Sequence, residues 1–177
     1  EYENAIANVQ NNAGALIAAT AFASVTGTYI TTAIATAEAK GIDQWVTTED
    51  TDGEALVGNS GTITADAMAV AGTFTYYAFG DSAFATATGV EQEVVAGANA
   101  AAGLTNGSSG TISAMAQAFA QGSYVQTSAV AHAEGVSQDV LGSVNSIAEV
   151  VNQGGISANA IAYASSFEDA PATARAI

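Results

Sequence analysis

Gly110-Thr111-Ile112-Ser113-Ala114-Met115-Ala116-Gln117-Ala118-Phe119-Ala120 decides the fold of this chain. Ile112, Ala114, Ala116, Ala118 and Ala120 fall at every second position, so a β-strand places all of them on one face. Alanine favours helix by propensity, but a helix would scatter these methyl groups around its whole circumference. In this run and its counterparts along the chain, intervening Thr, Ser, Val, Ile, Phe and Tyr, with glycines at both ends, favour strand. The same pattern recurs as Ile63, Ala65, Ala67, Ala69 and Ala71, and as Ile156, Ala158, Ala160, Ala162 and Ala164. It begins with Ile17, Ala19, Ala21 and Ala23.

The recurrence has a fixed period. Asn11, Asn59, Asn106 and Asn152 are spaced 48, 47 and 46 residues apart, each just before a glycine-opened alanine run. A second marker keeps that period: Gly41-Ile42-Asp43-Gln44, Gly89-Val90-Glu91-Gln92 and Gly135-Val136-Ser137-Gln138. Alternating alanines precede each marker glycine, and Val46, Val94 and Val140 follow it. Each unit thus predicts two long strands, one short strand and a turn-rich return. Self-similarity at this length marks a stacked array whose units bury their faces against their neighbours.

The expected fold is therefore all-β, a β-solenoid-like repeat array with units of about 47 residues and a thin alanine-packed interior. The whole chain, 1–177, forms one repeat domain: a partial unit 1–10, units 11–58, 59–105 and 106–151, and a partial unit 152–177. The chain opens on Glu1-Tyr2, as a processed protein or the ordered part of a longer one would. Joining Ile177 to Glu1 of another copy would omit only the equivalents of Gly135 through Leu141, close to a whole number of repeats.

Charge restricts the partners. Seventeen acidic residues face only Lys40 and Arg175, a net charge of −15. Phosphate recognition needs clustered cations, so nucleic acid is not an expected partner, and anionic lipid is disfavoured for the same reason. No apolar run is long enough to span a bilayer. Without cysteine there is neither a disulfide nor a thiolate metal site. Two tryptic positions in 177 residues suit an extracellular or cell-surface protein.

Several residues stand out against the repeat. Gln44, Gln92 and Gln138 occupy matching positions, where stacked coils build an amide ladder. Phe22, Met68, Val70, Phe119, Ile161 and Tyr163 alternate with the inward alanines, and apolar rows on an outer face predict assembly. Glu49, Asp50, Asp52 and Glu54 form the one acidic cluster, read either as a calcium site with hard oxygen ligands or as a solvated acidic turn. No cofactor is otherwise expected. His132 is the sole histidine and reads as a surface residue, since one imidazole without cysteine makes no zinc site. Thr62/Thr64, Thr73/Thr75 and Thr86/Thr88 match the flat threonine arrays of ice-binding solenoids. Asn106-Gly107-Ser108 matches a glycosylation acceptor pattern, but as a lone turn signal it reads as a turn of the chain.

The Gly-Thr-Ile-x-Ala-x-Ala-x-Ala runs, closed by Ala-x-Ala-x-Gly-Val-x-Gln, resemble the repetitive Ala/Thr/Gly-rich passengers of bacterial surface proteins. These include autotransporter-like and haemagglutinin-like β-solenoids. The resemblance implies an extracellular role in adhesion, matrix or filament formation and carries over no catalytic residue. The sequence thus points to a structural protein, not an enzyme, that self-assembles into a filament or surface layer through strand-edge and sheet-face contacts. Its partners would be copies of itself, a neighbouring filament or a surface glycan. The alternative is a monomeric adhesin or ice-binding segment of a longer surface protein.

Overall fold

The computed structural model describes residues 4–28, 32–73, 80–122, 126–166 and 170–177. Among the described residues twelve strands follow one another, the first coils in a repeating order of short, long and longest: β1 Ala5–Asn11, β2 Leu16–Gly27, β3 Thr32–Thr47, β4 Gly53–Asn59, β5 Thr62–Thr73 and β6 Gly80–Ala96. The order then repeats with β7 Asn99–Asn106, β8 Thr111–Gly122 and β9 Thr127–Gly142, and the last coil consists of β10 Asn145–Asn152, β11 Gly155–Ser165 and a short β12 Ala172–Ala176. Every third strand pairs in parallel, giving three four-stranded sheets. Sheet A is β1-β4-β7-β10, sheet B is β2-β5-β8-β11, and sheet C is β3-β6-β9-β12. Each 47-residue unit is therefore a single broad coil of a β-solenoid.

Register follows the sequence repeat residue for residue. Ala65 pairs with Ala114, Ala114 with Ala158, and Gln44 with Gln92. Sheet C spans the other two. Its first half packs alanine against alanine on sheet B, with Ala83, Ala85, Ala87, Ala114, Ala116 and Ala118 all essentially solvent-free. Beyond the marker glycine its second half faces sheet A through Val46, Val94, Ala55 and Ala100. Where the three sheets meet, larger side chains fill the corner: Ile42, Val57, Ile63, Val90, Leu104 and Ile112.

Alternation does not run unbroken through the marker glycine. Inward positions are odd-numbered up to Ala39 and even-numbered from Ile42 onward, so the phase shifts at Lys40-Gly41. Close packing explains why glycine stands there. A Cβ on Gly41 would come within 2.7 Å of Ile63 Cγ2 and 2.6 Å of the Gly89 carbonyl oxygen. On Gly89 it would lie 2.6 Å from both Ile112 Cγ2 and the Gly135 carbonyl oxygen. The glycine marker and the Gly-Thr-Ile marker share a period because each isoleucine packs into the space its glycine leaves.

Candidate functional site

Two amide ladders run through the stack. Gln92 donates from Nε2 to Gln44 Oε1, and Gln138 to Gln92 Oε1, both at 2.8 Å. The remaining hydrogens of these amides go to backbone carbonyls of sheet A, among them Leu56, Ala55 and Glu149. The other ladder is built from the asparagines that mark the repeat. Asn11 donates to Asn59 at 2.8 Å, Asn59 to Asn106 at 2.7 Å, and Asn106 to Asn152 at 2.8 Å. Their second hydrogens reach the carbonyls of Thr62, Thr111 and Gly155. These backbone acceptors orient each amide. As a result the asparagine ladder donates toward the C-terminal coil and the glutamine ladder toward the N-terminal one.

Sequence reasoning read the asparagines as markers of the repeat period and missed their ladder. Their shared period and their position at a strand end were the available signal, the same logic that singled out the glutamines. Asn106 is wholly buried with its amide in the ladder, so in the folded chain the Asn106-Gly107-Ser108 pattern offers no amide for glycosylation. A third, exposed ladder begins at Asp52, whose Oδ1 accepts from the Asn99 backbone N–H and Nδ2, while Asn99 accepts from Asn145.

Asp52 is thus engaged between coils. Glu49 and Asp50 lie in the β3–β4 turn and Glu54 lies on β4. Among the described residues no three His, Cys, Asp or Glu side chains are gathered as a metal ion requires. His132 lies on the outer face of sheet C, its Nε2 2.8 Å from Glu134 Oε1. Lys40, on the same face, contacts Glu91 at 2.8 Å, Asp43 at 3.2 Å and Glu38 at 3.7 Å. Its hydrogen bond to Glu91, reinforced by Asp43, holds the ammonium above the usual lysine range against the opposing effect of partial burial.

The six outer apolar residues come together on sheet B. Phe22, Met68, Gln117 and Ile161 form one row across the strands; Ser24, Val70, Phe119 and Tyr163 form the next. Met115 adjoins them in the row Thr20–Asp66–Met115–Asn159. Of the threonine pairs, Thr62 and Thr64 lie on this face, where their rows continue as Thr111 and Ser113. Thr86 and Thr88 belong to sheet C, and Thr75 lies outside the described residues.

Charge is distributed unevenly around the coil. Glu38, Asp43, Glu91, Glu93, Glu134 and Asp139 belong to sheet C; Glu54 and Glu149 belong to sheet A. Asp81 is buried, accepting the Ala33 and Thr73 backbone N–H groups and the Thr73 hydroxyl. Among the described carboxylates only Asp66 lies on sheet B. Among the described residues sheet C is therefore the acidic side, and sheet B carries the fewest carboxylates, while exposed apolar side chains also occur on sheet A (Ile6, Ile147) and sheet C (Ile34, Trp45). Comparison with protein families, curated proteins and solved structures finds no match for this chain.

Proposed function

We propose that this chain is a structural protein of the cell surface or extracellular space, working as a building block of a filament or layer. The observation that carries this reading is the translational sameness of the stack. Each coil meets the next through three parallel sheets in unbroken register and through the same buried amide contacts. A stack of this kind extends by repeating one interface, so its mechanical continuity grows with the number of coils. Strand addition at the sheet edges and contact through the apolar outer face are the two routes by which copies join.

The resemblance of the repeats to bacterial surface passengers supports the extracellular location, as does the scarcity of Lys and Arg. The second reading, an adhesin or ice-binding segment acting as a monomer, draws support from Thr62, Thr64 and Thr111 on one face. Negative-stain electron microscopy of the purified chain in physiological salt tests the first reading. Filaments or sheets of constant width are expected, with fibre diffraction showing the strand spacing of about 4.7–4.8 Å along the coil-stacking axis. Single dispersed particles at every concentration would overturn it.

A further inference from the structure

We infer that the outer face of sheet B is a lateral interface between two copies of this chain. The inference rests on the self-assembly reading and specifies which surface carries it. Three independent features of the face select a second copy as its occupant.

The first is electrostatic. Two molecules of charge −15 repel at long range, and the repulsion is least where close contact brings the fewest carboxylates together. Sheet C would oppose the six acids of one copy to the six of the other and sheet A would oppose Glu54 and Glu149 to their counterparts, whereas sheet B brings in Asp66 alone. Both tryptic cations, Lys40 and Arg175, lie on sheet C, so sheet B has no basic residue to attract an anionic partner.

The second is size. Four strands about 4.8 Å apart and about 12 residues long at 3.3 Å each cover about 700–800 Å². A stable protein interface takes about 800 Å² from each partner. The whole face of one copy is therefore about the size that such an interface takes.

The third is shape. Gly72 lacks the side chain that its row neighbours Thr26 and Gln121 carry, which leaves a recess of about 200 Å³. Val70, Phe119 and Tyr163 wall that recess with apolar surface. On the same face Phe22 stands 66% exposed. A projecting aromatic and an apolar recess on one surface are the self-complementary pair that a two-fold contact requires. Aromatic residues seated in apolar pockets also dominate the energetics of such contacts.

Sedimentation equilibrium across a concentration series tests this with the whole 177-residue chain. Phe119→Lys and Val70→Lys alter outward positions only and leave the alanine interior untouched. Each is expected to raise the self-dissociation constant at least tenfold with the far-ultraviolet circular dichroism unchanged. Asp66→Asn removes the one charge on the face and is expected to tighten association with the far-ultraviolet circular dichroism unchanged. Glu93→Gln on sheet C serves as the comparison and should act only through net charge. Association unaffected by Phe119→Lys, Val70→Lys and Asp66→Asn would overturn this interface while leaving self-assembly through other surfaces standing. A wild-type chain that stays monomeric at millimolar concentration would sink both. A monomer showing thermal hysteresis that Val70→Lys abolishes would assign the face to ice instead.

Discussion

Asparagine and glutamine are poor choices for a sheet interior by hydrophobicity, yet Asn59, Asn106 and Gln92 are among the most buried side chains. What makes them acceptable is complete pairing: each amide meets its counterparts one coil above and below and a backbone carbonyl beside it. A buried amide that loses one partner strands another, at about 1–3 kcal/mol for each group left unpaired. Asn106→Ala removes partners from Asn59 and Asn152 together. We expect a loss of about 2–4 kcal/mol, read as a lower urea midpoint. The exposed ladder supplies the contrast. Asn145→Ala leaves groups that water can reach, and its midpoint should move by less than a quarter as much.

At the scale of the strand, β5, β6, β8 and β9 share one interior built from a single side-chain type. Alanine on both faces lets the two sheets interdigitate by methyl groups alone, so there is no slack for a longer side chain. Close-packed interiors resist added methylenes, typically by 1–3 kcal/mol in ordinary cores. Ala116→Leu in the central strand β8 adds three carbons to a wholly buried site. It should lower stability by at least about 3 kcal/mol, and thermal unfolding followed by circular dichroism would register it. Ala18→Leu on β2, an outward alanine of the same sheet, should be nearly neutral. An equal effect at both positions would contradict the alanine-packed interior.

The molecule as a whole is governed by the conflict between acidic charge and apolar surface. If copies meet through sheet B, salt acts by screening repulsion between the carboxylates of the two copies. Raising ionic strength from about 10 to about 150 mM shortens the screening length from about 30 to about 8 Å. Light scattering at fixed protein concentration should therefore rise with added sodium chloride. Assembly that dissolves in salt would instead mean that ion pairs hold the copies together.

Much of this could be read from local chemistry. Period-two alternation identified the strands, and the 47-residue period identified the stack, because both are properties of side-chain placement along one chain. The glutamine positions were legible as a repeat on an inward phase, and the outer apolar residues as the complement of the alanines. Other features depended on which strands became neighbours. The phase shift at Gly41 and the packing of Ile63 against it arise only where three sheets meet. So does the burial of the asparagines, which in sequence look like ordinary turn residues. The gathering of Phe22, Met68, Val70, Phe119, Ile161 and Tyr163 onto the sheet with the fewest carboxylates required the register of four strands. Pattern along a chain tells a strand which face is inner, but only the coil decides which outer face each charge will share.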